Sequence, residues 1–224
     1  MNFDVSRHAN AVTRSVTNGE WNGKSARIVV AERDYATDIE DAWDALTSAE
    51  RIPRWFLPVS GDLRLGGRYQ LQGNAGGTIE RCEPPRLLQA TWEFAGGMSW
   101  VIVTLSAESE DSTRLRLEHI AHEDEQFLAF WDQFGPGAVG VGWDLTLLGF
   151  AGHVESGMVV DHKEAEKWLT SDNGKALVVQ SSEGWAGASI AFGTEASAAR
   201  QAADRTTAFY TGAGGAAGEA SDQE

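Results

Sequence analysis

The chain has a single cysteine, Cys82, among its 224 residues. One cysteine cannot form a disulfide within the chain or supply a cluster of cysteine ligands for a metal. So little cysteine is typical of a reducing compartment, and we expect the protein in the cytoplasm. The histidines show no metal-ligand spacing, and His119 and His122 fall on opposite faces of one strand. We therefore expect no metal and no other cofactor.

Long apolar runs and basic residues are also scarce. No stretch approaches the eighteen apolar residues of a membrane-spanning helix, and the opening MNFDVSRHAN lacks the apolar segment of a signal peptide. Only 18 Lys and Arg stand against 33 Asp and Glu, which gives a formal net charge of −15. Because so acidic a surface repels phosphate groups, we expect neither a nucleic acid nor a membrane as partner.

Glycine is plentiful by contrast, and GPGAVGVGWDLTLLGF at residues 135–150 contains the pattern G-x-G-x-x-G. That pattern suggests a dinucleotide-binding loop, with Asp161 about where a ribose-binding acid could lie. Such a loop needs a strand directly before it and a parallel sheet around it. The preceding DEQFLAFWDQF is acidic and aromatic, and the upstream strands are joined by turns too short for parallel pairing. We interpret the glycines as a turn into a helix and as sites of close approach.

The apolar pattern changes along the chain in a definite order. β-Branched residues cluster in KSARIVVAERDYAT and predict a strand. Asp38 then caps a helix that ends near Pro53. Residues 60–121 read as short strands with tight turns, so we predict about seven strands in an antiparallel sheet. The period then becomes that of a long helix, and residues 164–210 contain two further helical patterns.

These patterns divide the chain into four parts. A chain of this length can bury a large core and still leave room for an internal cavity. We predict a flexible N-terminal arm at residues 1–23 and a core domain at 24–160. A C-terminal helical extension follows at 161–211, and a disordered tail at 212–224.

The element order resembles the START-like superfamily, also called SRPBCC, and its bacterial branch related to the activator of the ninety-kilodalton heat-shock chaperone's ATPase. The resemblance lies in ARIVVAERDYATDIEDAWDALTSAERIPRWFLPVSGDLRLGGRYQ, GGTIERCEPPRLLQATWEF, TRLRLEHIAH and GPGAVGVGWDL, over roughly residues 26–155. It implies an α+β helix-grip fold, in which a curved antiparallel sheet wraps a long helix. It also implies a hydrophobic cavity between sheet and helix that holds a small apolar molecule.

Strand parity predicts which side chains line that cavity. They are apolar or aromatic, and each could equally be ordinary core packing: Trp55, Phe56, Tyr69, Trp92, Phe94, Leu117, Trp143 and Leu147. Two polar residues join them, since His119 lies on the apolar face of its strand and an inward Cys82 would bring Glu80 inward as well. Such a pair could orient a ligand or act as base and acid. The alternative is a buried structural pair, or a Glu80 that faces solvent.

Three functions from different classes fit these features. We favour a cytoplasmic binding protein for a small hydrophobic or amphipathic molecule. The second is an enzyme of cyclase, dehydratase or hydrolase type that uses the same cavity, and it requires Glu80 or His119, or a pair that the sequence does not identify, to point into that cavity. The third is a co-chaperone or regulatory interaction module with an exposed apolar patch. The C-terminal helices could also form a homodimer or cover the open side of the sheet.

Overall fold

A computed structural model describes residues 4–212, so the predicted disordered tail lies outside the described residues except for Gly212. The strands of this part of the chain are β1 (Thr13–Trp21), β2 (Lys24–Tyr35), β3 (Val59–Gly61), β4 (Arg68–Leu71), β5 (Gly76–Glu83), β6 (Leu87–Phe94), β7 (Gly97–Ser109) and β8 (Ser112–His122). The helices are α1 (Val5–Asn10), α2 (Ile39–Thr47), α3 (Ile52–Trp55), α4 (Glu125–Phe134), α5 (Gly137–Ser156), α6 (His162–Thr170), α7 (Asp172–Phe192) and α8 (Ala196–Thr211).

The strands form one antiparallel sheet in the order β1-β2-β8-β7-β6-β5-β4-β3. The long helix α5 packs on one face of the sheet, where Trp143, Leu147 and Phe150 join the core with Val101 and Leu117. A smaller cluster around Trp100 and Ile120 covers part of the other face. The α+β fold with its antiparallel sheet and long helix is confirmed.

The sheet has eight strands in the described part of the chain instead of about seven, because the N-terminal segment is not a flexible arm. β1 pairs with β2 along its whole length, through a two-residue turn at Asn22 and Gly23 with positive φ angles. The prediction for residues 1–23 is therefore wrong from the start of α1 onward. β1 was missed because it is an edge strand with mostly polar side chains, of which Val16 alone is buried.

The C-terminal helices pack on the same core. α7 packs against both α5 and β1, and its Val178, Trp185 and Ala188 belong to the main hydrophobic cluster. The extension contains three helices rather than two, since the short α6 precedes the two predicted ones. Asp161 caps α6 by accepting hydrogen bonds from two backbone N–H groups. Asp161 thus has a capping role in place of the ribose-binding one that the glycine pattern suggested.

The glycine-rich segment is a junction between two helices. Gly135, with φ of 61°, ends α4, and Pro136 precedes the first residue of α5. A helix, not a strand, precedes the glycines, so the structure agrees with the rejection of a dinucleotide loop. Within residues 4–212, no helix is long and apolar enough to cross a membrane. No three His, Cys, Asp or Glu side chains of that range are grouped so that they could hold a metal ion.

Candidate functional site

A cavity of about 150 Å³ lies between the sheet and α5, with α2 and α3 along one side. Its wall contains no Asp, Glu, Lys, Arg or His side chain. The sheet contributes mainly aliphatic residues, whereas the helices contribute aliphatic, aromatic and threonine side chains. The lining residues include Leu71, Ile79, Cys82, Leu88, Ala90, Val101, Val103 and Leu115 from the strands, and Leu46, Thr47, Ile52, Thr146 and Phe150 from the helices.

Seven of the ten side chains proposed from the sequence line this cavity: Trp55, Phe56, Tyr69, Trp92, Leu117, Trp143 and Leu147. Parity was correct for Trp92 on β6 and Leu117 on β8, because both strands pair with β7 in regular register at these positions. The sequence reasoning missed Phe150, although it follows Trp143 and Leu147 on the same face of the helix. It also missed Leu46, whose signal was the amphipathic pattern of α2.

Phe94 does not lie in the cavity, contrary to the prediction. It is the last residue of β6, pairs with Gly97 at the tip of a hairpin, and is 55% exposed. At this hairpin tip the side chain lies outside the cavity, next to α4 and the start of α5. Phe94 instead lines a separate surface groove with Met98 and Phe130.

Glu80 faces solvent, so the prediction that it turns inward with Cys82 is wrong. The pairing of β5 with β6 is irregular here: Ile79 lies opposite Ala90, whereas Arg81 lies opposite Gln89. One extra residue on β5 reverses the parity, so that Ile79 and Cys82 both line the cavity. Outside it, the Glu80 carboxylate accepts a hydrogen bond of 2.9 Å from the Gln89 side chain.

The hydrogen-bond donors of the lining are largely engaged within the protein. The Trp55 indole N–H donates to the Ala45 carbonyl at 2.9 Å, and the Tyr69 hydroxyl donates to the Thr91 carbonyl at 2.7 Å. The hydroxyls of Thr47 and Thr146 each donate to a carbonyl one helical turn earlier, both at 2.8 Å. Few donors therefore remain for a guest. Burial also raises the pKa of the Tyr69 phenol, so this hydroxyl keeps its proton.

His119 is buried beside the cavity but does not line it. Its ring packs against those of Trp92 and Trp143, with centroids 6.3 and 5.8 Å away. Burial lowers the pKa of His119 to about 4, so the ring is neutral near pH 7. Two strands, β7 and β6, separate its strand from that of Glu80. The structure therefore does not bring together the proposed histidine–carboxylate pair.

The hydrogen bonds of His119 define which nitrogen carries the proton. The Trp143 indole N–H, which can only donate, lies 2.9 Å from Nδ1. Nδ1 is therefore the acceptor, and Nε2–H donates to the Ser99 hydroxyl at 2.9 Å. Ser99 in turn donates to the Trp92 carbonyl at 3.2 Å. This chain of neutral groups fixes the orientation of Trp143, which forms part of the cavity wall.

The buried histidine should make stability depend on pH. The unfolded chain takes up a proton near pH 6.5, whereas the folded chain holds His119 neutral down to about pH 4. Keeping His119 neutral therefore contributes about 3 kcal/mol to the free energy of unfolding. This contribution is complete above pH 6.5 and is lost as the pH falls towards 4. When the pH is lowered from 7 to 5, the free energy of unfolding should fall by about 2 kcal/mol more in the wild type than in His119→Gln, as measured by urea denaturation.

This comparison isolates His119 from the other titrating groups. His8 has a pKa that is also lowered by burial, but it is present in both proteins and cancels in the difference. Equal pH dependence in the two proteins would show that His119 is not held neutral in the folded state.

Comparison with known proteins gives the family. Residues 36–155, more than half of the chain, match the family model described as Activator of Hsp90 ATPase homolog 1-like protein. The crystal structure of CalU16 from Micromonospora echinospora is 34% identical, covers 80% of this chain and 98% of CalU16, and superposes with a TM-score of 0.62. The solution NMR structure of CalU16 is 33% identical over 81% of this chain and 97% of that one, with a TM-score of 0.66.

A more distant structure shares the fold. MLL2253 from Mesorhizobium loti is 24% identical over 58% of this chain and 97% of its own, with a TM-score of 0.50. No curated protein matches the chain. From the family match, the likeness to CalU16 and the observed fold, we conclude that the chain belongs to the family of Activator of Hsp90 ATPase homolog 1-like proteins and has their START-like, helix-grip fold.

Proposed function

We propose that the protein binds a small apolar molecule in the cavity between the sheet and α5. The observation that supports this function most directly is the lining, which is largely apolar, contains no Asp, Glu, Lys, Arg or His side chain, and has few free hydrogen-bond donors. A cavity of about 150 Å³ has the size of an engineered apolar cavity that stays dry and binds benzene. The guest that fits this space is a ring of benzene size or a short branched alkyl group.

The same lining gives the enzyme hypothesis little support. General acid–base catalysis needs a titratable group within hydrogen-bond reach of the substrate. Glu80 lies on the outer face of the sheet, and both ring nitrogens of His119 are engaged with Trp143 and Ser99. Binding without a proton-transfer reaction is therefore the function that we propose.

The interaction-module hypothesis has a different basis. Phe94, Met98 and Phe130 are each about half exposed and line one groove of about 360 Å³, at the hairpin of β6 and β7 beside α4. This patch lies outside the C-terminal helices. A homodimer through those helices stays a prediction, for which the exposed Phe209 on α8 is the natural contact.

Benzene is the probe that tests the proposed binding. We expect it to shift the NMR signal of the Trp143 indole N–H in a saturable way, because Trp143 lines the cavity. Ala90→Phe places a ring inside the cavity, and it should weaken benzene binding by at least about tenfold. Ala107→Phe is the matched control, since Ala107 is exposed on neighbouring β7.

Two results would contradict the proposal. The first is a wild-type protein whose Trp143 signal does not respond to benzene. The second is an Ala90→Phe variant that remains folded and binds benzene as tightly as the Ala107→Phe variant.

A further inference from the structure

A second, larger space of about 630 Å³ adjoins the inner cavity and forms a groove between α5 and α6. Trp55, Phe56 and Thr146 line both spaces, so these side chains form part of the wall between them. α6 leaves the groove open, since none of its side chains is buried. Its Ala165, together with Trp168 and Leu169, faces the groove without filling it.

The partition between the two spaces has one fixed side chain and one less constrained one. Trp55 is held by its hydrogen bond to Ala45 and by edge-on contact with Phe150, with ring centroids 4.9 Å apart. Phe56 is only partly buried and stacks on Trp55 at 5.6 Å, with no polar group to satisfy. A rotation of Phe56 would therefore join the groove to the cavity without breaking a side-chain hydrogen bond.

The sizes of the two spaces indicate that the guest uses both. Pockets for small organic ligands measure about 300–1,000 Å³. The inner cavity alone is below that range, whereas the groove lies within it. A guest that placed only a ring or alkyl end inside would continue past Phe56 into the groove.

The groove differs from the cavity in its polarity. Gln72 and Asn74 lie along one side, and His162 and Glu166 lie one turn apart on α6. No Lys or Arg lines it, so an anionic group placed there would meet the Glu166 carboxylate and no opposing cation of these two types. Amide, imidazole and carboxylate groups suit a hydroxyl, an amide or an ammonium group.

We propose that the ligand is amphipathic, with an apolar end in the inner cavity and an uncharged or cationic polar head in the groove beneath α6. This inference rests on the proposed function, because it assumes that the inner cavity accepts an apolar group. It assigns a role in ligand binding to α6, which lies outside the matched family segment 36–155. It also gives Phe56 the position of a gate between the two compartments.

Three probes that share a phenyl ring and a four-carbon chain test the proposal: phenylbutylamine, phenylbutanol and phenylbutyrate. Measured by titration calorimetry at pH 8, the amine and the alcohol should each bind at least about tenfold more tightly than benzene, because the chain buries further apolar surface. The carboxylate should bind more weakly than the amine. Glu166→Gln should reduce the preference for the amine over the carboxylate by about threefold.

A variant that blocks the groove separates this inference from the proposed function. Ala165→Trp places a ring in the groove, and it should abolish the advantage of phenylbutanol over benzene while leaving benzene binding unchanged. Thr170→Trp is the control, since Thr170 is exposed on the same helix and does not line the groove. If benzene itself does not bind, the proposed function fails. If benzene binds but phenylbutanol gains nothing, or gains equally in Ala165→Trp, only the groove inference is overturned.

Discussion

Replacement of Asp144 by alanine is expected to lower the free energy of unfolding by about 3–5 kcal/mol, because it leaves the Arg14 guanidinium buried without a counter-ion. The two side chains are joined by a 2.9 Å ion pair and are only 9% and 3% exposed. Arg14 also donates to the carbonyls of Ala9 and Val12, so it cannot move to solvent without releasing those groups. Urea denaturation of the variant and the wild type measures the difference.

The ion pair connects three parts of the chain. Arg14 lies on β1, Asp144 on α5, and the same carboxylate oxygen accepts hydrogen bonds from Ser181 and Trp185 on α7. Burial raises the pKa of Asp144, and the charge of Arg14 opposes that rise. Because the other carboxylate oxygen is buried without a hydrogen bond, this cluster is costly to desolvate. Its effect is to tie the N-terminal edge strand and the C-terminal helices to the central helix.

An exposed ion pair of good geometry provides the control. Arg114 binds Asp34 through two hydrogen bonds of 2.7 and 2.9 Å, but the side chains are 46% and 52% exposed. Asp34→Ala should therefore cost about 1 kcal/mol or less. The interpretation would be wrong if Asp144→Ala cost no more than Asp34→Ala. The double variant Arg14→Met with Asp144→Ala should cost less than the sum of the two single changes, because each single change leaves a buried charge.

This cluster also shows what the sequence could not reveal about the fold. The antiparallel sheet followed from tight turns, and the long helix followed from an apolar period, because both are local signals. Arg14 is a polar residue in a polar segment, and its burial depends on Asp144, 130 positions further along the chain. One local signal was present, since Asn22-Gly23 is a favoured hairpin pair that could have predicted β1.

The candidate site was predictable where the strands are regular. Alternation placed Trp92 and Leu117 in the cavity wall because β6 and β8 pair with β7 in regular register around these two residues. It failed at Glu80, because a bulge is a property of two paired strands and not of one sequence. It failed at Phe94, because the sequence does not show where along β6 the cavity ends and the surface groove beside α4 begins. The groove beneath α6 had no sequence signal, since it arises from a gap between two helices.

The second large effect is expected at Gly140, the third glycine of the G-x-G-x-x-G pattern. A Cβ atom at this position would lie 2.2 Å from a ring atom of Trp185, which is 1% exposed, so the helix or the buried indole would have to shift. Gly140→Ala should therefore lower the free energy of unfolding by about 2–3 kcal/mol, although alanine is the better helix former. The measurement is again urea denaturation, with the same change at Gly187 as the matched control.

Gly187 lies inside α7, is exposed, and has no heavy atom within 4 Å of an added Cβ. Gly187→Ala should therefore raise stability by about 0.5–1 kcal/mol, so the same substitution has opposite signs in two helices. If Gly140→Ala were as stable as the wild type, close packing would not explain this glycine.

Gly140 and Asp144 lie one turn apart on α5, and both contact the Trp185 indole. A methyl group that displaces Trp185 also removes its hydrogen bond to Asp144, so Gly140→Ala and Asp144→Ala should be non-additive. A double variant that costs clearly less than the sum of the single changes would show that the glycine and the carboxylate hold one side chain. Strict additivity would show instead that the clash is relieved without moving the indole nitrogen.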